Sequence, residues 1–129
     1  MIFVDSNVFV YAVGRPHPLR EEAQNFFIRA HEEGKSLVTS AEVLQELIHI
    51  YLPVGRMETL DAAFELATRG VDRVIPIDSD TVVYARDLIS GNPSLTARDL
   101  LHLSVCQLHS VHELMTFDRN LASAFKKER

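Results

Sequence analysis

Two aspartates follow short apolar segments of the kind that form buried β-strands. Asp5 comes directly after Ile2-Phe3-Val4, and Asp118 comes two residues after Leu114-Met115-Thr116. Because the carboxyl ends of parallel strands meet at one edge of a sheet, both carboxylates are expected at that edge. Each also has a simpler interpretation, since an Asp that precedes a helix commonly accepts hydrogen bonds from the first helical amides.

Two further acids lie on predicted helices. Thr96 is expected to cap a helix whose third residue is Asp99, so this carboxylate lies at a helix amino terminus. Its simpler interpretation is that it stabilises the helix end and has no other role. Glu46 occupies the middle of a mostly apolar helix. In its simpler interpretation it faces solvent beside Glu42, one turn earlier. The order of strands and helices brings at least three of these four acids to one edge of a small sheet.

Such a group of carboxylates favours a hard divalent cation. Neighbouring carboxylates repel one another and raise each other's pKa unless a cation neutralises them. Oxygen ligands without thiolates suit Mg²⁺ or Mn²⁺, and Mg²⁺ keeps several waters and open positions for a phosphate group. Such a cation activates water and stabilises a leaving oxygen. The chemistry predicted from these residues is therefore hydrolysis of a phosphodiester.

The elements that must position these acids alternate between strand and helix. Strands are predicted at 1–4, 36–38, 74–77 and 113–116. Helices are predicted at 8–13, 18–33, 40–51 (with Thr39 as N-cap), 56–69, 79–89, 97–108 and 121–127. Strands separated by helices imply right-handed crossovers and a parallel sheet covered on both faces. We expect an α/β fold, a three-layer α/β/α sandwich with four or five strands, in a single domain over 1–129.

The composition excludes several classes of protein. The chain has 129 residues, of which 47% are hydrophobic and 24% charged, as in ordinary soluble globular proteins. The single Cys106 excludes a disulfide framework and a cysteine-based zinc site, and it indicates a reducing cytoplasm. No apolar segment is long enough for a membrane span, and Asp5 interrupts the first apolar segment before it could form a signal peptide.

The net charge of −5 argues against a protein that holds nucleic acid through a broad basic surface. It does not argue against an enzyme that acts on nucleic acid. Phosphate contacts could come from arginines near the acidic positions, namely Arg15, Arg20, Arg98 and Arg119. No segment that combines aromatic and basic residues predicts a platform for single-stranded RNA, and the substrate-binding residues stay unknown at this point.

The chain resembles the PIN domain family, and within it the VapC-type toxins. The resemblance rests on four segments in the family's order: Phe3–Ala12 with its Asp-Ser-Asn, Ser40–Leu47 with Glu46, Ala97–Ser104 with Asp99, and Thr116–Leu121 with a Thr-x-Asp. It implies a Rossmann-like fold and a Mg²⁺- or Mn²⁺-dependent endoribonuclease. It further implies a homodimer, and a small antitoxin that inserts a segment into the active-site groove.

The same resemblance assigns roles to individual residues. The catalytic residues it implies are Asp5, Glu46, Asp99 and Asp118. Asp5 and Asp99 would hold the metal most directly, and Asp118 would be a further metal ligand beside Glu46. Three polar residues would orient these carboxylates or a bound water, namely Ser6, Asn7 and Thr116. Many family members continue past this last motif into another edge strand, whereas this chain has no β-rich segment left, which favours four strands or a trimmed end.

Competing interpretations invoke other sites. Glu46-x-x-His49 and Asp99-x-x-His102 have the spacing of di-iron ligands in four-helix bundles, but the strand signals argue against a bundle. We expect both histidines to be buried polar groups lining the groove. The chain lacks the lysine that a receiver domain of phosphorelay signalling needs near the end of a late strand. A phosphatase with an Asp-x-Asp nucleophile pair is also disfavoured, because Asn7 takes the place of the second Asp. A housekeeping RNA-processing nuclease and a non-enzymatic metal-binding interaction domain stay open.

Overall fold

Four short strands form one parallel sheet in the computed structural model, which describes residues 1–128. They are β1 Ile2–Val4, β2 Leu37–Ser40, β3 Arg73–Ile75 and β4 Glu113–Met115. The strand order is β3-β2-β1-β4, and every neighbouring pair is parallel. The α/β fold class is confirmed, and within residues 1–128 the sheet has four strands.

Seven α-helices flank the sheet within residues 1–128, in the positions that the sequence predicted, and a short 3-10 helix, Leu52–Val54, follows the third of them. They are α1 Ser6–Val13, α2 Pro18–Glu32, α3 Ala41–Tyr51, α4 Met57–Arg69, α5 Ser79–Asp87, α6 Ala97–Leu108 and α7 Arg119–Glu128. Helices α1 to α4 contact one another as one group, and α5, α6 and α7 form a second group. None of the helices in the described part of the chain is long and apolar enough to cross a membrane.

The strand order places a crevice beside β1. The chain passes from β1 outward to β2 and β3 and then returns to the opposite side of β1 as β4. In open α/β sheets, ligands bind beyond the carboxyl ends of the strands at the point where the strand order reverses. That point lies here between the ends of β1 and β4, where the chain continues into Asp5 and Thr116.

The central strands are buried on both faces, as their apolar sequences predict. Phe3 and Val4 of β1 have no exposed surface, and all four residues of β2 are buried. Thr39 lies within β2, where its hydroxyl donates a 2.8 Å hydrogen bond to the carbonyl oxygen of Val4. The polar group is therefore satisfied inside the core, and it ties β2 to the end of β1.

Several predicted helix ends need correction. Thr39 is not the N-cap of α3, because β2 extends through Ser40, whose hydroxyl accepts the amide hydrogen of Val43 instead. Helix α1 begins at Ser6 because Asp5 caps it, two residues earlier than predicted. Helix α7 begins two residues earlier than predicted because Asp118 accepts hydrogen bonds from the amides of its first turn.

Candidate functional site

Asp5 is the central side chain of the crevice and is only 4% exposed. It follows β1 directly and caps α1, and its Oδ1 accepts the amide hydrogen of Ser6 at 2.7 Å. Its Oδ2 accepts the hydroxyl hydrogen of Thr116 at 2.7 Å. The capping interpretation of this residue is therefore confirmed, and the cap holds the carboxylate at the predicted edge of the sheet.

Thr116 and Asn7 join the turn after β1 to the turn after β4. The Thr116 hydroxyl, which donates to Asp5, also accepts the backbone amide of Asp118 at 3.0 Å. The Asn7 side-chain amide donates to Thr116 Oγ1 at 3.3 Å and to Asp5 Oδ2 at 3.4 Å. Its carbonyl oxygen accepts the amide of Phe117 at 3.2 Å. These polar residues therefore touch Asp5 and fix its orientation.

Glu46 points into the crevice and not toward solvent beside Glu42. Its Oε1 lies 2.5 Å from His102 Nε2, and its Oε2 accepts the Ser6 hydroxyl at 3.0 Å. His102 Nε2 also lies 3.5 Å from Asp5 Oδ1. Within residues 1–128, one group of three His, Cys, Asp or Glu side chains has ligand atoms that all lie within 4.8 Å of one another. The group consists of Asp5, Glu46 and His102.

His102 was expected to be a buried polar group of the groove, and it is. Its side chain is 1% exposed, its ring lies 5.5 Å from that of Phe3, and its Nδ1 has no hydrogen-bond partner among the described residues. The same expectation for His49 is wrong, because His49 is exposed on the face of α3 opposite the buried Val43 and Leu47. The parallel sheet also rules out the four-helix di-iron site.

Electrostatics favour the charged forms of Glu46 and His102. Burial by itself opposes charge on His102, but the Glu46 hydrogen bond and the charges of Asp5, Glu46 and Asp99 outweigh it and raise the pKa of His102. Burial also opposes charge on Glu46, but the hydrogen bond to His102, the charge of His102 and the hydrogen bond from the Ser6 hydroxyl outweigh it and lower the pKa of Glu46. In its protonated form, His102 offsets part of the negative charge of the site.

Asp99 and Asp118 lie in the same crevice but outside that close group. Asp99 forms the predicted capping box with Thr96, in which each backbone amide donates to the other residue's side chain. Burial raises the pKa of Asp99, the Thr96 amide opposes this, and the charge of Asp118 raises the pKa further. Asp118 Oδ1 accepts the amides of Asn120 and Leu121, so this acid is also a helix cap.

A fifth carboxylate, Glu42, borders the site and was not among the predicted site residues. Burial and the charge of Glu46 raise its pKa. Arg98 lies beside it, with Nε 3.7 Å from Glu42 Oε1. The spacing of Glu42 and Glu46 by four residues on one helix was the sequence signal that these two carboxylates would interact.

The donor set fits a hard divalent cation. Asp5 and Glu46 each present carboxylate oxygens to one small volume, and the charges of Asp99 and Asp118 act on each other within the same crevice. Within residues 1–128, the ion pairs of these five carboxylates are with His102 and Arg98 alone, so the crevice retains an excess of negative charge that a cation would neutralise. Oxygen-rich sites of this kind suit Mg²⁺ and Mn²⁺.

Comparison with known proteins yields full-length matches. A family model described as PIN domain matches residues 2–127, which include all four predicted acids. Ribonuclease VapC23 of Mycobacterium tuberculosis is 52% identical over 126 residues, which cover 98% of this chain and 99% of that protein. The crystal structure of M. tuberculosis VapC20, a Sarcin-Ricin loop cleaving toxin, is 18% identical with a TM-score of 0.81, covering 96% of this chain and 95% of VapC20. The crystal structure of VapBC2 from Rickettsia felis, bound to a DNA fragment from their promoter, is 20% identical with a TM-score of 0.72, covering 98% of this chain and 92% of that chain.

Proposed function

The chain belongs to the PIN domain family, and we propose that it is a divalent-cation-dependent endoribonuclease of the VapC type, the toxin of a toxin–antitoxin pair. The observation that carries the proposal is the convergence of Asp5, Glu46 and His102 at the end of β1, with Asp99 and Asp118 in the same crevice. The extent and level of identity to a named ribonuclease support the same activity.

Within this proposal, Asp5 and Asp99 hold the cation most directly, and Asp118 is a further ligand. Mg²⁺ or Mn²⁺ bound there supplies electrostatic stabilisation of the charge that develops on the phosphate group. Glu46 completes the carboxylate set and is held in place by His102 and by the Ser6 hydroxyl.

The supporting residues act by fixing Asp5. Thr116 and Asn7 donate hydrogen bonds to its Oδ2, and the Ser6 amide donates to its Oδ1. These bonds restrict the carboxylate to one orientation before any ligand arrives. Preorganised groups of this kind avoid the cost of reorganisation during the reaction.

The expected partners are RNA, a second copy of the chain and a small antitoxin. The antitoxin would insert a segment into the crevice, and the similarity to the VapBC2 structure supports a partner of this class. The proposed place of action is the cytoplasm, where the RNA substrate is found.

We expect RNA cleavage by the purified protein to require a divalent cation. EDTA should abolish cleavage, and added Mg²⁺ or Mn²⁺ should restore it, because the carboxylates alone repel the phosphate group. The measurement is gel analysis of a panel of RNAs, with Asp99→Asn purified in parallel. Equal cleavage by Asp99→Asn and the wild-type protein would assign the activity to a contaminant and contradict the proposal.

Expression in a bacterial host tests the toxin role. The wild-type chain is expected to arrest growth, whereas Asp5→Asn is not, because arrest requires RNA cleavage. Co-expression of a small protein encoded beside the gene should restore growth. Wild-type cleavage of RNA in vitro without any growth arrest would favour a housekeeping RNA-processing nuclease over a toxin.

A further inference from the structure

Three aromatic rings form a row beside the acidic crevice, and none of them has a part in the proposed cation site. The rings of Tyr11 and His17 lie 4.8 Å apart between centroids, with an interplanar angle of 38°. Phe117 meets Tyr11 edge-on, at 5.5 Å and 88°. Because Phe117 is about a hundred residues away in sequence, no linear pattern could predict this row, which the fold alone assembles.

The row is joined to the crevice through Asn7. The Asn7 carbonyl oxygen accepts the amide of Phe117, and its side-chain amide donates to Asp5 Oδ2. Tyr11 lies four residues after Asn7 on α1, which places the two side chains on the same face of the helix. The aromatic row therefore begins next to Asp5 and runs along α1 toward the loop before α2.

The row combines partly exposed aromatic surface with arginines that lie close to it in sequence. His17 is exposed, and Tyr11 and Phe117 are each only partly buried. Two exposed arginines flank the row in sequence, Arg15 two residues before His17 and Arg119 two residues after Phe117. Proteins that bind single-stranded nucleic acid combine aromatic rings, on which bases stack, with cations that follow the phosphates.

We propose that Tyr11, His17 and Phe117 form a stacking platform for an unpaired nucleobase of the RNA strand that enters the acidic crevice. The inference rests on the proposed nuclease function and adds to it three side chains that would bind the substrate. Bases in a regular duplex are already stacked and paired, so they cannot use the platform without being extruded. Because every base has a π face, the platform itself discriminates little between sequences.

Conservative variants separate stacking from a merely structural role of the rings. His17→Asn removes an exposed ring but keeps an N-cap acceptor for the Leu19 amide, which His17 Nδ1 now accepts at 3.1 Å. Tyr11→Leu keeps apolar bulk against the core. The matched control is Phe26→Leu, because Phe26 is a partly buried aromatic residue on α2 that contacts Phe27 and is not in the row.

The experiment measures binding of a short single-stranded RNA that carries 2-aminopurine, with every variant made in the uncleaving Asp99→Asn background. Stacking on the platform is expected to quench the 2-aminopurine fluorescence. Tyr11→Leu and His17→Asn should each weaken binding about five-fold or more and reduce the quenching. Phe26→Leu should match its parent, and a duplex of the same sequence should bind more weakly than the single strand.

The remaining outcomes would each overturn either the platform or the proposed nuclease function. Unchanged binding and quenching in both platform variants, with RNA cleavage intact in the active background, would overturn the platform and leave the nuclease function standing. Loss of antitoxin binding without loss of RNA binding would also overturn it, because the row would then serve a protein partner. Failure of the wild-type protein to bind or cleave any RNA would instead overturn the proposed function. Thermal unfolding of each variant shows whether it folds. If Tyr11→Leu does not fold, the result with His17→Asn decides, because His17 is exposed.

Discussion

Replacing Asp5 by Asn is expected to slow RNA cleavage about 100- to 10,000-fold, because the amide removes the most buried negative charge from the proposed cation site. The variant also disturbs the bond in which Thr116 donates to Oδ2, since an amide nitrogen at that position cannot accept it. The fold should survive, because Asn caps a helix as well as Asp does. The measurement is the single-turnover cleavage rate at saturating Mg²⁺, with circular dichroism to verify folding.

Asp78→Asn is the matched control for this variant. Asp78 is also an N-cap, with Oδ1 accepting the Thr81 amide at 2.9 Å at the start of α5, but it is exposed and outside the crevice. Its replacement should leave the cleavage rate unchanged within about two-fold, since surface substitutions away from a site have small effects. A rate for Asp5→Asn within a few-fold of this control would contradict the assigned role of Asp5.

His102→Leu is expected to lower the free energy of unfolding by about 3–5 kcal/mol in metal-free buffer, because it leaves the Glu46 carboxylate partly buried without its partner. Leucine is close to histidine in size, so the effect reports the lost pairing more than a cavity. Adding Glu46→Gln to His102→Leu should recover part of the loss, since no unpaired charge then remains. Urea denaturation in EDTA measures both variants.

His49→Ala provides the comparison for a histidine with the same sequence spacing. His49 follows Glu46 by three residues, as His102 follows Asp99, but it is exposed. Its replacement should change the free energy of unfolding by no more than about 0.5 kcal/mol. Equal effects of His49→Ala and His102→Leu would show that the buried contact with Glu46 does not contribute to stability.

The sequence predicted the fold class and the edge of the sheet that carries the site, for identifiable reasons. Asp5 and Asp118 each follow an apolar strand directly or closely, so parallel strands had to bring them to one edge. The Thr96–Asp99 capping box is a local pattern, and it forms as predicted. Helix capping holds Asp5, Asp99 and Asp118 at this edge, so the local signals also located the crevice in which these acids lie.

Contacts between distant elements were not predictable in the same way. The pairing of Glu46 with His102 depends on the contact between α3 and α6, and the residues are 56 positions apart. Spacing alone could not decide which of two histidines is buried, and the expectation for His49 failed for this reason. The aromatic row joins α1 to the turn after β4, so neither sequence segment shows it by itself.

Binding of Mn²⁺ tests most directly the claim that acids from several separate elements form one cation site. The free Mn²⁺ signal in electron paramagnetic resonance gives the dissociation constant for the wild-type protein, Asp5→Asn and Asp78→Asn. We expect the wild-type protein and Asp78→Asn to bind Mn²⁺ alike, and Asp5→Asn to bind it about ten-fold more weakly or worse. Equal affinity in all three proteins, or no binding by the wild-type protein, would contradict it.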